Sequence, residues 1–336
     1  MAKTESSPAV AREVHLVERP EGRPTPGQFA IVERQLPALR DGEFLIANKY
    51  LSIDPAMRPP LSNGLTPLNA PITNIAVGQI TASNHEGFEI GNIVAHRQGM
   101  RDFAVSTGEY CRKLEVEEGE PLHWHLGPLG VSGITAYAGL FDVASIRPGE
   151  RVFVSAAAGA VGSLAAQMAK LSGCTVIGSA GGPKKVEWLE STAGLDAVID
   201  YKDGVLRKTL KAAAPDGIDV YFDNVGGEHL NAALPRMRLY GRVAICGMIS
   251  AYNNKGALSD GVTTLPSILY KRVTLRAFIW EDHKALFPQF QAAMRKWLRN
   301  DAIKAPATVV TGLENAPNAL IGLFTGENLG KMIVEI

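Results

Sequence analysis

Short apolar runs recur through the centre of the chain, and they predict the strands of a parallel sheet. Each run is rich in β-branched residues and has no polar face, as expected for a strand that is covered on both sides. The six predicted strands are Arg151–Ala156, Thr175–Ala180, Ala197–Tyr201, Asp219–Asn224, Arg242–Gly247 and Val273–Ile279. Six strands of this kind suffice for one complete dinucleotide-binding sheet.

Segments compatible with helices lie between these runs. Pro183 suits the first turn of a helix, and Gly173 suits the residue that follows a helix end. The predicted helices are Ala160–Ser172, Pro183–Ala193, Asp203–Ala214 and Gly227–Leu239. The alternation of strands and helices predicts an α/β fold with a doubly wound parallel sheet, as in Rossmann domains.

The turn after the first predicted strand consists of small residues. It has Ala156, Gly159 and Gly162 in the three small positions of an A-x-x-G-x-x-G pattern. Such a turn lets backbone N–H groups approach a pyrophosphate, and the next helix adds its positive end. Small-residue turns also occur for packing alone, but the six-strand context favours a cofactor site at Gly159, Ala160, Val161 and Gly162.

The end of the second predicted strand indicates which dinucleotide binds. An NAD site usually has Asp or Glu there, about 20 residues after the turn begins, for the ribose 2′-OH. Here Ser179 is followed by glycines and by Lys184 and Lys185, and the first carboxylate is Glu187. The missing acid removes repulsion of a 2′-phosphate, and Lys185 can pair with it, whereas Lys184 is also explained as a solvated helix residue. The pattern favours NADP(H).

The region from about residue 12 to 125 has a different character. Short β-rich runs are separated by Gly, Pro and Asn turns, which indicates a small, irregular β domain. The Pro-rich segment Arg58–Pro71 predicts an ordered loop, and we expect the C-terminal tail to return and complete this domain. The strands predicted here and in the tail are Glu43–Lys49, Ala76–Thr81, Ile93–His96, Ala307–Thr311 and Lys331–Ile336.

Composition narrows the class of protein but identifies no catalytic residue. The chain has 336 residues, of which 46% are hydrophobic and 20% charged, and its formal net charge is zero. Nothing therefore favours nucleic acid or an anionic membrane as a partner, and we find no membrane span or secretory signal. Three scattered cysteines form no disulfide framework, which predicts a reducing, cytoplasmic location.

Six strings of sequence resemble one branch of the medium-chain dehydrogenase/reductase superfamily. That branch is zinc-free and contains prostaglandin/leukotriene reductases, plant alkenal double-bond reductases and bacterial curcumin reductases. The Asp-Asn-Val-Gly-Gly and Cys-Gly-x-Ile-Ser-x-Tyr-Asn patterns are specific to this branch. The six strings are Tyr50–Arg58, Gly130–Tyr137, Ser155–Gly162, Tyr221–Gly227, Ile245–Asn253 and Asn328–Lys331.

The resemblance implies two domains and a reaction. It implies a chaperonin-10-like β domain at residues 1–127, completed by 304–336, and a Rossmann domain at 128–303. It implies NADPH-dependent reduction of the C=C bond of α,β-unsaturated ketones and aldehydes. A homodimer is also expected, because Val273–Ile279 comes late in the sheet, where an uncovered edge favours pairing between copies.

Ligands of open α/β sheets bind beyond the carboxyl ends of the strands, and the resemblance names residues there. Lys185 and Tyr201 match family positions near the adenosine 2′-phosphate, although Tyr201 is equally explained as a core aromatic. Asn328 resembles a residue that closes over the nicotinamide end. The expected ligands at the ends of the later strands are Asn224, Cys246, Gly247, Ile249, Ser250, Phe278 and Ile279.

No group of residues has the spacing of a zinc site, so we expect no metal. The string Asn84–Glu86 lacks a cysteine partner, and His123 and His125, which could share a strand face, are more often a surface feature. Hydride delivery to the β-carbon of an enone needs hydrogen-bond donors for the enolate oxygen rather than a Lewis acid. Tyr252 matches the family tyrosine near the substrate carbonyl, and a neutral phenol donates at pH 7. The ribose 2′-OH of the cofactor is the second expected donor to the enolate oxygen.

Tyr50 and Ala56 are the other expected substrate residues. Many relatives have Tyr where this chain has Ala56, so we expect an enlarged or reshaped pocket and predict only the class of substrate. Two alternatives stay open. One is an NADPH quinone oxidoreductase, since a quinone is also a conjugated carbonyl, and the other is an NADPH-binding protein without turnover.

Overall fold

The structure, a computed structural model, describes residues 10–254 and 261–336. The chain divides into two compact units. The first comprises the residues up to Leu126 together with Thr308–Glu327 and Met332–Ile336, and the second comprises Gly127–Ala307 and Asn328–Lys331. The domain boundaries expected from the sequence stay a proposal.

The first unit is built on antiparallel strands. Numbered along the chain, they are β1 (Val10–Leu16), β2 (Phe29–Gln35), β3 (Phe44–Ile53), β4 (Ala76–Ser83), β5 (Ile93–His96), β6 (Phe103–Ser106), β7 (Arg112–Lys113), β14 (Ala307–Thr311) and β15 (Lys331–Glu335). Strands β1 and β2 pair with each other, and the others form a sheet in the order β14-β15-β3-β4-β5-β7, with β6 also paired with β3. The C-terminal strand β15 thus lies inside this sheet, between β14 and β3.

Two short helices and one main apolar cluster complete the first unit. The helices are α1 (Arg58–Asn63) and α9 (Ala316–Leu323). Leu51, Leu61 and Leu320 are buried in the same cluster, which therefore joins β3 to both helices. The segment predicted as a loop is partly helical, because Pro59 and Pro60 stand in the first turn of α1, where their missing N–H groups cost nothing.

The second unit holds a parallel sheet of six strands within the described residues. They are β8 (Arg151–Val154), β9 (Thr175–Ala180), β10 (Ala197–Asp200), β11 (Ile218–Asp223), β12 (Met237–Ile245) and β13 (Thr274–Ala277). Their order is β10-β9-β8-β11-β12-β13, and each neighbouring pair is parallel. The chain reverses its direction of growth between β8 and β11, so the switch point of this doubly wound sheet lies there.

Helices connect the strands of the second unit. They are α2 (Val131–Ala138), α3 (Gly162–Leu171), α4 (Pro183–Ser191), α5 (Leu206–Ala213), α6 (Gly227–Ala233), α7 (Pro266–Lys271) and α8 (Phe287–Arg299). As predicted, α4 begins at Pro183, and Gly173 follows the end of α3 with a φ of 78°. A π-helical turn, Gly139–Val143, continues α2.

The predicted helix Gly227–Leu239 is too long. The helix ends at Ala233, a single turn that contains Pro235 follows, and β12 begins at Met237. Met237 pairs with Ile218 at the start of the neighbouring strand, so strand pairing prevails over helical propensity in these residues.

The last strand of the sheet lies at its edge, as the sequence predicts. It is shorter than Val273–Ile279, because only Thr274–Ala277 pairs with β12. Among the described residues, no helix is long and apolar enough to cross a membrane.

Candidate functional site

The turn between β8 and α3 is held tightly by its own backbone. The Gly159 N–H donates to the Ala156 carbonyl oxygen at 2.9 Å. A Cβ on Gly162 would lie 2.2 Å from the same oxygen, so no larger residue fits there. Gly159, Ala160 and Val161 are half-buried. The turn therefore offers accessible backbone at the start of a ten-residue helix, the arrangement that suits a pyrophosphate.

A C-terminal segment lies beside this turn. Gly330 forms a parallel bridge with Gly159, and its N–H donates to the Ala158 carbonyl oxygen at 2.8 Å. Asn328 donates from Nδ2 to the Gly330 carbonyl oxygen at 2.8 Å. The structure thus brings Asn328 next to the turn, although it lies 166 positions after Gly162 in the sequence.

Two lysines and a tyrosine gather at the loop after β9. A Cβ on Gly181 would meet the Tyr201 ring at 2.8 Å and the Lys202 side chain at 2.9 Å. Burial lowers the pKa of Lys185, and the positive charge of Lys202 lowers it further. In the described part of the chain, no carboxylate lies within ion-pair distance of either ammonium group. An anion bound here would relieve the repulsion between the two lysines.

A carboxylate does lie close by, but it shapes the loop. Asp200, at the end of β10, accepts the backbone N–H of Gly182 at 3.0 and 3.1 Å and that of Lys202 at 2.9 Å. These hydrogen bonds fix the direction in which Gly182 and Lys202 leave their strands. Asp200 thereby holds the two sides of the lysine pair in place.

Ser179 lies behind this loop rather than among the lysines. It is fully buried, and its hydroxyl is 3.1 Å from Nε2 of His229. Burial lowers the pKa of His229 to about 4, so the imidazole is neutral at pH 7. The His229 ring also contacts the Tyr201 ring edge-on, with centroids 5.2 Å apart. Ser179 and His229 together support Tyr201 from the interior.

Asn224 follows β11 and is held by the end of β8. Its backbone N–H donates to Ser155 Oγ at 2.9 Å, and its side-chain Nδ2 donates to the Ser155 carbonyl oxygen at 2.7 Å. Both bonds cross the switch point between the two strands. The amide of Asn224 is therefore fixed where a ligand of an open sheet is expected.

The loop after β12 lies against the loop after β11. The N–H groups of Cys246 and Gly247 donate to the Asp223 carbonyl oxygen at 2.8 and 3.1 Å. Ser250 donates from Oγ to the Val225 carbonyl oxygen at 2.7 Å. Burial, with a smaller contribution from Asp223, raises the pKa of Cys246 to about 12, so its thiol is un-ionised and a poor nucleophile at pH 7.

Tyr252 follows the single helical turn Ile249–Ala251 and points its hydroxyl back at this loop. The Met248 N–H donates to the hydroxyl oxygen at 3.3 Å, and a Cβ on Gly247 would lie 3.5 Å from it. Burial raises the pKa of Tyr252, and the Met248 N–H lowers it by less. The phenol is thus neutral at pH 7, and its proton is available to another acceptor.

Phe278 and Ile279 follow the edge strand β13. The Phe278 N–H lies 3.4 Å from the Ile245 carbonyl oxygen, and its ring lies edge-on to those of Phe222 and His283. A Cβ on Gly139 would lie 2.6 Å from the Phe278 ring, so the π-helical turn fits closely against it. Ile279 is 60% exposed. These two residues end the row of predicted ligands along the sheet.

The two predicted substrate residues of the first unit differ in their surroundings. Tyr50 donates its hydroxyl to Oε1 of Glu335 at 3.0 Å, and its ring lies edge-on to His123 with centroids 5.7 Å apart. Burial raises the pKa of Tyr50, and Glu335 raises it further. Ala56 is exposed on the short turn Pro55–Met57.

The histidine pair considered for metal binding does not share a strand face. His123 and His125 lie in a helical turn, Leu122–Leu126, and His125 is buried 2.6 Å from Glu120. Across residues 10–254 and 261–336 there is no group of three or more His, Cys, Asp or Glu side chains that could hold a metal ion.

Four residues of the second unit are missing from the sequence-based set. Lys202 comes one residue after Tyr201 at a strand end, a signal that could have identified it. Ser155 and Asp223 lie in strings that resemble the family, but the sequence assigned no role to them or to His229, because these roles depend on contacts with residues far away in the sequence.

Comparison with known proteins decides the family. Residues 12–114 match a family described as "N-terminal domain of oxidoreductase", and residues 160–298 match one described as "Zinc-binding dehydrogenase". Prostaglandin reductase 1 of Bos taurus is 41% identical over 94% of this chain and 95% of that protein. The NADP(+)-dependent 2-alkenal reductase of Nicotiana tabacum is 39% identical over 88% of this chain and 87% of that protein.

The chain belongs to the prostaglandin, alkenal and curcumin reductase branch of the medium-chain dehydrogenase/reductase family. A solved structure agrees: CurA of Vibrio vulnificus in complex with NADPH has a TM-score of 0.91 and 37% identity, covering 96% of this chain and 98% of that one. Membership of this branch and the Rossmann-type sheet confirm the family and fold class predicted from the sequence.

The lysine pair gives a test of cofactor choice. Replacing Lys185 with Ala should weaken NADPH binding by roughly 1–3 kcal/mol, because the variant would lose the charged hydrogen bond that we expect Lys185 to make to the 2′-phosphate. NADH, which has no such phosphate, should bind almost as before. Calorimetric titration of both cofactors measures the difference.

Lys184→Ala is the matched control, because Lys184 is exposed on the same helix. It should leave both affinities near those of the unchanged protein. An equal loss of NADPH and NADH affinity in Lys185→Ala would contradict pairing with the phosphate.

Proposed function

We propose that the protein uses NADPH to reduce the C=C bond of α,β-unsaturated ketones and aldehydes. One observation carries the proposal: the fixed Asn224 amide follows β11 at the switch point, and the Gly247 backbone and the neutral Tyr252 hydroxyl follow the adjacent strand β12. Family membership supports it, since the relatives include an NADP(+)-dependent 2-alkenal reductase. The related CurA structure contains NADPH.

The described residues fit this cofactor. The close contact at Gly162 keeps the turn compact, and the half-buried backbone before it is accessible to a pyrophosphate. The Lys185–Lys202 pair suits a 2′-phosphate. Ser179 supports the phosphate end from the interior. The proposed ligands are Gly159, Ala160, Val161, Gly162, Lys185, Tyr201, Lys202, Asn224, Cys246, Gly247, Ile249, Ser250, Phe278, Ile279 and Asn328. When bound, NADPH supplies the hydride that the β-carbon of the substrate receives.

Tyr252 is the proposed catalytic residue. As the β-carbon gains a hydride, negative charge develops on the carbonyl oxygen, and a donor aimed at that oxygen stabilises the enolate. The Tyr252 oxygen accepts the Met248 N–H, which leaves its own proton free for this bond. Its raised pKa keeps that proton in place at pH 7. The α-carbon then takes its proton from Tyr252 or from water.

We propose that residues 1–127, completed by 304–336, form the substrate domain, and that residues 128–303 form the cofactor domain. Tyr50 contributes a ring rather than a donor, because Glu335 already accepts its hydroxyl. The small Ala56 side chain leaves space that a tyrosine would fill. A cytoplasmic location is supported by the three free cysteines, Cys111, Cys174 and Cys246.

A substrate screen tests the proposed reaction. NADPH oxidation should be measured with an enal, an aliphatic enone, a curcumin-like dienone and a simple quinone. Turnover of the enal and enones above that of the quinone supports the proposal. Preference for the quinone would favour a quinone oxidoreductase, and NADPH binding with no turnover of any of them would favour a binding protein.

Removing the Tyr252 hydroxyl should affect the reaction more than cofactor binding. Tyr252→Phe should lower kcat roughly 10- to 100-fold, because the lost donor acts mainly in the transition state. NADPH affinity should stay near that of the unchanged protein. Steady-state kinetics on an enone and NADPH titration measure the two effects. An unchanged kcat would mean that Tyr252 is only a loop aromatic.

We propose that no metal takes part in the reaction. The proposal rests on the donor role of Tyr252 and on the scattered placement of His and Cys among the described residues. Dialysis against a strong chelator should leave the turnover of an enone unchanged. Loss of activity that added zinc restores would overturn this proposal.

We also propose a homodimer that forms through β13. Thr274, Arg276 and Ala277 on this edge strand are exposed, and Leu269 and Tyr270 of α7 are 75% and 73% exposed nearby in sequence. An exposed edge with apolar neighbours favours pairing between two copies. Light scattering should give twice the chain mass of 36.0 kDa. A monomer at every concentration tested would contradict the proposal.

A further inference from the structure

Asp223 ends β11 with a fully buried carboxylate whose two oxygens differ in the number of hydrogen bonds that they accept. Oδ1 accepts the hydroxyls of Tyr221 at 2.6 Å and Ser155 at 3.2 Å. It also accepts the N–H groups of Val225 at 2.9 Å and Gly226 at 2.8 Å. Oδ2 is buried and has no hydrogen-bond partner among the described residues. A buried carboxylate is costly unless it is hydrogen-bonded, so four donors on one oxygen hold this group in one place.

The network reaches Asn224 through Ser155. Ser155 Oγ donates to Asp223 and accepts the Asn224 N–H, while the Ser155 carbonyl oxygen accepts Asn224 Nδ2. With one N–H of its NH₂ group engaged by Ser155, the Asn224 side chain offers Oδ1 to a donor. The Asp223 carboxylate therefore sets the position of this amide through a single intervening residue.

The loop that follows needs such support. Gly226 and Gly227 have φ values of 71° and 48°, in the left-handed region that glycine tolerates. Two N–H groups of this loop end on the Asp223 carboxylate, and the Asp223 carbonyl oxygen accepts the N–H groups of Cys246 and Gly247. One residue thus joins the ends of β8, β11 and β12.

We propose that Asp223, acting through Ser155, is a positioning residue for the nicotinamide half of NADPH. It fixes the Asn224 amide and the loop up to Gly227, so that the hydride-donating ring is held in one orientation. This inference rests on the proposed function. Hydride transfer is sensitive to displacements of about 1 Å, which makes such a support part of the reaction.

The adenosine half should be insensitive to the network. Lys185 lies near the start of α4, and Tyr201 and Lys202 follow β10. Their supports are Asp200, His229 and Ser179, and none of the hydrogen bonds that Asp223 makes reaches them. A change in the network should therefore weaken binding of the nicotinamide half and leave binding of the adenosine half unchanged.

Ser155→Ala tests the inference, because it removes the link between Asp223 and the Asn224 N–H without adding bulk. We expect kcat on an enone to fall roughly 10-fold, as for a misplaced reacting group. NADPH should bind several-fold more weakly, and adenosine 2′,5′-bisphosphate, which lacks the nicotinamide, should bind as it does to the unchanged protein. NADPH deuterated at the transferred position should show a larger isotope effect on kcat.

Ser172→Ala is the matched control. It removes one hydroxyl hydrogen bond, to the Met168 carbonyl oxygen at the far end of α3, and should change none of these values. Asp223→Asn, which keeps one acceptor oxygen, should shift kcat and NADPH affinity in the same direction as Ser155→Ala. A thermal melt of each variant reports whether it is folded.

Two results would overturn the inference. One is an unchanged kcat and unchanged NADPH affinity in folded Ser155→Ala, and the other is an equal loss of NADPH and bisphosphate binding. If the unchanged protein turns over no enone, the proposed function fails, and the comparison of the two binding affinities still decides whether the network serves the nicotinamide half.

Discussion

The parallel pairing of β8 with β11 is the constraint on which the candidate site depends. Val152, Phe153 and Val154 pair with Val220, Tyr221 and Phe222, and all six residues are buried. The Phe153 and Tyr221 rings stack with centroids 4.9 Å apart, which fixes the register of the two strands. Because parallel strands end at the same edge, this register brings Ser155 beside Asp223 and Asn224. A slip of β8 by one residue relative to β11 would turn the side chains of β8 to the other face of the sheet.

The charge of the side chains changes from positive to neutral along this edge of the sheet, as the proposed ligands require. Lys185 in α4 and Lys202 after β10 form a positive pair whose ammonium groups have no ion-pair partner among the described residues. The neighbouring Asp200 carboxylate accepts backbone N–H groups instead, so an anion would be favoured beside the two lysines. At the loops after β11 and β12, the ionisable groups are held neutral or enclosed: Tyr252 and Cys246 keep their protons, and the Asp223 carboxylate faces inward. A phosphate therefore suits one end, and an uncharged conjugated carbonyl suits the other.

The sequence predicts the second unit better than the first for a physical reason. Strands buried on both faces are apolar throughout, so β8 to β11 are found within a residue or two of their bounds. Strands β1 and β2 form a two-stranded sheet of their own and mix charged with apolar residues, which gives no clear signal. The helix predicted to reach Leu239 fails because Met237 finds a strand partner that a local pattern does not reveal.

The candidate site divides in the same way. The sequence predicts the glycines of the turn and the residues at strand ends, because a local pattern of residues determines the turn and the end of each strand. Ser155, Asp223 and His229 are not, since each acts through a partner about 50 to 70 residues away. The burial of Ser179 and the engagement of the Tyr50 hydroxyl by Glu335 are likewise set by tertiary contacts.

The position of transferred deuterium tests the account most directly. The protein should be incubated with an enone and NADPH deuterated at the transferred position, and the product analysed by NMR. We expect a saturated ketone with deuterium on the former β-carbon, since Tyr252 is placed to stabilise an enolate. An allylic alcohol with deuterium on the carbonyl carbon would contradict the account.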